Sequence, residues 1–245
     1  MKKEKKIVLF ILLFALILSS IFVYMRFSMV QGIKDTGQDF IAALASGDIQ
    51  KAKQYAGGEV AFRLATTNTT KEIPRAQATK TEILTCKGNK KWARVEVQSE
   101  ILLPDGSYDV DWYEMDMYRK DNWKVIKLRE STPVIPSQKT MFKQDQDLQD
   151  LEANLNGYFT LSKKGDFTQA TKKYLAGPAR RMQEQAIKNY PLKEIPKGFK
   201  ITPLYGNKEL IIAKAEYTFE GRHVRNMIKF YKTSEGWKIV EITNC

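Results

Sequence analysis

A chain of 245 residues with 43% apolar and 28% charged residues has an ordinary globular composition. That excludes a wholly disordered or fibrous protein and leaves room for one large domain or two of about 100 residues. The net charge of +12 is uneven: residues 1–30 carry five Lys or Arg against one Asp or Glu, residues 31–136 sixteen against fifteen, and residues 137–245 nineteen against twelve. A basic second half points to attraction for something acidic, and says nothing about fold.

At the N-terminus, "MKKEKK" is followed by an uncharged run of 19 residues, Ile7 to Met25. At about 1.5 Å per residue this nearly spans a hydrocarbon core of about 30 Å. Four lysines before the run and a single arginine just after it predict a cytoplasmic N-terminus and a C-terminus outside the cell membrane. The run closes on "IFVYMRF", without a small-x-small cleavage site or an adjoining cysteine. The expectation is an uncleaved single-pass anchor, rather than a cleaved signal peptide or a lipoprotein.

After the anchor the chain reads as one unit written twice. "SGDIQKAKQYAGG" (Ser46 to Gly58) is answered by "KGDFTQATKKYLAGP" (Lys164 to Pro178), and "GNKK" (Gly88 to Lys91) by "GNKE" (Gly206 to Glu209). "EIP" recurs at Glu72–Pro74 and Glu194–Pro196, and "MYRKDNWKVIKL" (Met117 to Leu128) returns as "FYKTSEGWKIVEI" (Phe230 to Ile242). Asp48 to Trp123 is 75 residues and Asp166 to Trp237 is 71, a spacing that marks a duplication.

Each copy places helices before strands. Ile33, Phe40, Ile41 and Leu44 make a helical apolar face in the first copy, and Leu148, Leu151, Leu155, Tyr158 and Phe159 in the second. Gly47 ends the first helix and Asp48 is placed to cap the next. Four segments rich in Val, Ile, Tyr, Trp and Thr follow in each copy, separated by turns such as "KGNK", "PDGS" and "TSEG". The predicted fold class is α+β: helices on a curved, four-stranded antiparallel sheet, with Trp123 and Trp237 as core aromatics. The expected divisions are tail and anchor at 1–29, a first domain at 30–130, a Pro-bearing linker at 131–146, and a more basic second domain at 147–245.

This pattern of helices, a Gly-Asp cap and strands ending in a hairpin and Trp-Lys-[Val/Ile] resembles the nuclear transport factor 2-like fold, a cone of curved sheet around a helix. One anchor followed by two such domains resembles the TcpC family of Gram-positive conjugative elements. The resemblance implies a structural part of a DNA-transfer apparatus, in which the outer domains mediate assembly.

Signs of chemistry are sparse. His223 is the sole histidine, in "EGRHVRN", without an evident acidic partner. Cys86 and Cys245 are isolated and are expected to be free thiols, and no metal or cofactor is expected from their spacing. In "YDVDWYEMDMY" strand alternation puts Asp109 and Asp111 on one face and Glu114 and Asp116 on the other. Were the latter pair to enter the cone, they would carry raised pKa values, but a solvated face is the expected outcome. In "KKYLAGPARRMQEQAIKNY", Lys172, Lys173, Arg180, Arg181 and Lys188 form the candidate contact for an anionic partner, with Arg181, Gln185 and Lys188 on one helical side. The expected function is a non-enzymatic scaffold or assembly module in an envelope complex, with protein partners or copies of itself. The alternative is a binding module for a small apolar ligand or an anionic wall polymer. Large aromatics filling the cones (Trp112, Phe219, Phe230 and Tyr231) would favour the scaffold, and an open polar-rimmed cavity the binding module.

Overall fold

The computed structural model describes residues 2–66, 76–133, 145–186 and 191–244. Three helices, α1 (Lys2–Ala45), α2 (Ile49–Tyr55) and α3 (Gly58–Thr66), precede a meander of β1 (Gln77–Gly88), β2 (Trp92–Leu102), β3 (Tyr108–Arg119) and β4 (Trp123–Glu130). The second copy repeats the order with α4 (Asp145–Lys163), α5 (Phe167–Tyr174) and α6 (Gly177–Gln185). Its strands are β5 (Lys197–Gly206), β6 (Leu210–Phe219), β7 (Arg222–Thr233) and β8 (Gly236–Asn244). Both sheets are antiparallel in simple sequence order. The protein is therefore α+β, with a long N-terminal apolar helix and two four-stranded sheets, each with its own helices.

The duplication extends to individual hydrogen bonds. Asp48 accepts from the Lys51 N–H at 2.9 Å and Asp166 from the Gln169 N–H at 3.1 Å. Each cap follows a glycine in the left-handed region, Gly47 at φ 69° and Gly165 at φ 79°, where a side chain would clash with the backbone. The Gly57 N–H donates to Val125 O and the Ala176 N–H to Ile239 O, both at 2.9 Å. Each bond stitches a helix connection to the last strand. Asn89 accepts from the N–H groups of Lys91 and Trp92, and Asn207 from those of Glu209 and Leu210, so "GNK" builds the same turn twice.

Helix α1 is a single 44-residue rod, about 66 Å long at 1.5 Å per residue. It crosses the expected anchor–domain division at residue 29 without a break. Its N-terminal part leaves Leu16, Ile17, Leu18, Ile21, Val23, Tyr24 and Phe27 at least half exposed, and the helix is long and apolar enough to cross a membrane. Its C-terminal part buries Ile33, Phe40 and Ile41 against Val95, Val97, Met115, Met117, Trp123 and Val125. The second core matches it, with Leu151 and Leu155 on Ile211, Ile228, Phe230, Trp237 and Ile239. Burial of each such side chain contributes roughly 1.5–3 kcal/mol.

Candidate functional site

The two cones are packed with side chains. Phe40, Met115 and Trp123 fill the first. In the second, Phe230 lies in the core and Phe159 stacks on Phe199, with ring centres 5.8 Å apart. Phe219 packs at the edge of this core. Trp112 and Tyr231, the other two aromatics available to fill the cones, are elsewhere. On β3, Met115 and Met117 face the helices, so alternation turns Val110 and Trp112 to the opposite face. On the second sheet ordinary alternation along β7 keeps Ile228 and Phe230 in the core and turns Tyr231 outward, and the bulge opposite Lys229 and Phe230 leaves Val240 of β8 unpaired and in the same outward cluster.

Those outward residues meet each other. Val110 and Trp112 of the first domain and Ala176, Leu210, Tyr231 and Val240 of the second form a third buried cluster. Trp112 and Tyr231 are edge-to-face, with ring centres 5.6 Å apart at 88°, the arrangement the ring quadrupoles favour. Gln98 joins them: its Oε1 accepts from Trp112 Nε1 at 3.0 Å, and its Nε2 donates to the Tyr231 hydroxyl at 2.6 Å. Burial holds the Tyr231 phenol well above its ordinary pKa, so it remains neutral.

A polar rim surrounds this centre. Ser234 Oγ donates to Glu100 at 2.6 Å, and Lys80 pairs with Glu209 at 2.6 Å. Lys172 donates to the Asp105 carbonyl at 2.8 Å, Arg180 Nη1 to Ser107 Oγ at 3.0 Å, and Arg181 pairs with Asp111. Asp109 accepts from the Gly177 N–H. Gly177 stands at φ +56°, and a Cβ there would lie 2.8 Å from Val110 O and 3.0 Å from the Trp112 ring; only glycine allows this approach. Burial, reinforced by the neighbouring Asp111 charge, pushes Asp109 up to about 6. Burial pushes Asp105 upward too, but the hydrogen bonds from Ser107 and the Lys172 ammonium outweigh it and hold the acid at about 2.

Three of the five basic residues picked out in the sequence lie on this rim. Lys172, Arg180 and Arg181 face acidic or hydroxyl groups of the first domain, and Arg180 is buried. Lys173 lies over the Tyr174 ring at 5.3 Å. Helix α6 ends at Gln185, where the Ala186 N–H turns back to Met182 and Gln183. Arg181 and Gln185 belong to this helix, and Lys188, the third residue of the expected helical side, lies outside the described residues. Beside Lys172 and Lys173 a groove of 630 Å³ opens between Asn154, Tyr174, Glu235 and Trp237.

The candidate carboxylates lie outside the cone, but Asp116 is buried rather than solvated, at 4% exposure. Glu114 and Asp116 lie on the outer face of the sheet, where Arg94 and Arg129 reach Asp116 at 2.7 and 2.9 Å. The Arg94 hydrogen bond, ahead of the burial cost, holds Asp116 below the ordinary carboxylate range. His223 is exposed, 3.8 Å from Glu216. Cys86 is a half-buried free thiol raised by burial, while Cys245, the first "EIP" and most of the linker lie outside the described residues. Sequence reasoning missed Gln98, Ser107 and Ser234, whose roles depend on partners far along the chain.

Fold and join together define a class: tandem helix-on-sheet domains docked outer face to hairpin tip. No family model matches the chain, and no curated protein does. Among solved structures, the chain is similar to an "Ntf2 like protein involved in plasmid conjugation", at 12% identity and a TM-score of 0.32, covering 80% of this chain and 86% of that one. It is also similar to a cystatin-like protein from Ruminococcus gnavus ATCC 29149, at 11% identity and a TM-score of 0.26, covering 88% and 90%. Likeness at this level carries no argument about function.

Proposed function

We propose that the chain is a membrane-anchored assembly protein whose two domains, held outside the cell membrane, act as one composite surface. The observation that carries this reading is the join. It sinks Trp112 and Tyr231 to 1% exposure each and surrounds them with hydrogen bonds and ion pairs between the domains. Since α1 continues unbroken into the first core, domain position would follow helix position, which suits a part that templates other subunits at a fixed height. Glu114 and Asp116, the carboxylate pair singled out in the sequence, are paired with Arg94 and Arg129, which favours a non-enzymatic role. A conjugation-type secretion complex is the particular assembly suggested by the sequence resemblance.

The test is crosslinking in cells, followed by recovery of the tagged full-length protein from solubilised membranes. Co-purification of a secretion ATPase or channel subunits supports the particular reading. Recovery with other envelope proteins keeps the assembly role and removes conjugation. Recovery alone, or with wall polymer only, overturns the assembly reading.

A further inference from the structure

The surface with which the second domain docks on the first exists twice. In the second copy the Lys232 N–H donates to Glu209 O at 2.8 Å, and in the first the Arg119 N–H donates to Lys91 O at 2.8 Å. These bonds align the hairpins residue by residue. They set Trp92 at the place of Leu210 and Tyr118 at the place of Tyr231, each a cross-strand pair. Leu210 and Tyr231 are 5% and 1% exposed because the first domain covers them, whereas Trp92 and Tyr118 are 40% and 42% exposed.

Contacts along α1 locate this uncovered surface. A Cβ on Gly32 would lie 3.3 Å from the Trp123 ring, and one on Gly37 3.0 Å from Met115. Further on, Gln38 Nε2 donates to Thr81 O, and Ala45 O accepts from the Ala76 N–H. The helix therefore enters the domain beside the β3–β4 turn and leaves at the far end of the sheet. The last large exposed apolar side chain before this entry is Phe27. Gly32 follows about 7.5 Å along the axis, which puts the β1–β2 and β3–β4 turns at headgroup depth if α1 crosses a bilayer.

Their chemistry suits that depth. Lys87, Lys90, Lys91, Arg119 and Lys120 are all exposed, and none has an ion-pair partner among the described residues; Asp121 is the one acid in the two turns. Further along this face, Glu114 and Asp116 are paired with Arg94 and Arg129, and Glu96 accepts from the Thr85 hydroxyl. In the second copy the same turns carry Glu209, paired with Lys80, and Ser234, bonded to Glu100. One copy of the surface is built for protein, and the other is basic and aromatic. Amphipathic Trp and Tyr favour the water–hydrocarbon boundary, and each cation near an anionic surface adds attraction that salt screens.

We propose that the two hairpin turns of the first domain bind anionic phospholipid headgroups of the bilayer that α1 crosses, with Trp92 and Tyr118 seated among them. The proposal rests on the reading of α1 as a membrane span. The full-length chain would be placed in nanodiscs of neutral phosphatidylcholine, with or without phosphatidylglycerol, using bromine-labelled lipid to quench nearby tryptophan. Comparison with Trp92→Phe isolates the Trp92 contribution. Strong quenching of Trp92 in anionic discs is expected, with most of it lost in neutral discs, in high salt, and in Lys90→Glu/Lys91→Glu/Lys120→Glu. These exposed turn positions leave both cores untouched, so the variant should unfold like the wild type. Trp92 quenching that is absent, or indifferent to lipid charge and to the triple variant, overturns the proposal while the span stands. A crosslink from the Trp92 position to a second copy of the chain in anionic discs overturns it also. Failure of the chain to enter nanodiscs at all defeats the span reading itself, and the proposal with it.

Discussion

Trp112→Ala should open the join and leave both cores folded. Trp112 is 1% exposed, yet it faces away from α1, so its loss removes no contact from the first core. Truncating a buried aromatic to Ala costs about 3–5 kcal/mol. Roughly 0.5–1.5 kcal/mol of that is the edge-to-face pairing with Tyr231, and a further ~1 kcal/mol is the hydrogen bond to Gln98. The pairing with Tyr231 and the burial at the join fall on the docked state, whereas the Gln98 bond lies within the first domain. Hydrogen exchange read by mass spectrometry reports it directly through two amides that donate across the join, Ser234 to Glu100 and Gly177 to Asp109. Their exchange should accelerate by roughly 10²- to 10³-fold. Core-strand amides such as those of Val97 and Ile228 should keep their protection. Unchanged exchange at Ser234 and Gly177 would refute the energetic role given to Trp112. Parallel loss of protection at Val97 would refute the claim that join and core are separate.

Asp109 should give the protein an unusual pH response. Its folded pKa of about 6 stands above the ordinary 3.8, so the folded state binds the proton more tightly, and stability falls as pH rises from about 4 to about 6. The rise corresponds to at most ~3 kcal/mol. Asp109→Asn, which still accepts from Gly177, should abolish that slope in denaturant titrations at pH 4 and pH 7, and should stabilise the protein at pH 7. Arg180→Glu/Arg181→Glu should weaken the join by about 3–5 kcal/mol by leaving charges buried and unpaired, read as faster exchange at Gly177; salt-sensitive binding to an anionic polymer, measured on the same variant, tests the sequence-derived contact. Asp48→Ala and Asp166→Ala should each cost about 1 kcal/mol in equilibrium denaturation, and costs that differ widely would count against equivalent caps.

Local order was legible in the sequence because its causes are local. A Gly-Asp pair before a helix, Asn-Lys in a two-strand turn and Trp-Lys before alternating aliphatics each act within four residues, so their recurrence exposed both copies and most strand limits. The anchor's end at residue 29 followed hydropathy, which marks a membrane boundary and not a helix end; nothing between Met25 and Ala45 breaks a helix except the isolated Gly32 and Gly37, which pack closely on the sheet. The join was less visible because Trp112 and Tyr231 lie 119 positions apart. One signal was available. In "VDWYEMDM" apolar residues fall on both faces of the strand, Val110 and Trp112 on one and Met115 and Met117 on the other, which marks two-sided burial. The acidic "DGSYDVD" and the basic "KKYLAGPARR" were both conspicuous, and each is the other's partner.

The join is heterologous: hairpin tips of one domain sit on the outer sheet face of another, and such an interface can repeat without limit. The second sheet lacks the same receiving surface. The hairpin alignment places Glu216 at the position of Gln98 and Arg225 at that of Trp112, again a directly opposed cross-strand pair. Arg225 reaches Glu216 at 3.0 Å and remains 61% exposed, so the second outer face has an ion pair in place of an apolar centre. Transplanting that pair into the first domain, as Gln98→Glu with Trp112→Arg, should release the second domain without unfolding the first, because the same pair is already tolerated on an equivalent sheet. Carbodiimide coupling of Lys80 to Glu209, which lie 2.6 Å apart across the join, provides the readout by mass spectrometry. The crosslink should be efficient in the wild type and largely lost in the double variant, while amide protection of Val97 and Met115 stays high. Retention of the crosslink would show that the rim ion pairs hold the domains without the Trp112 centre, and would shift the weight of the join from the aromatic contact to Glu100, Asp109 and Asp111.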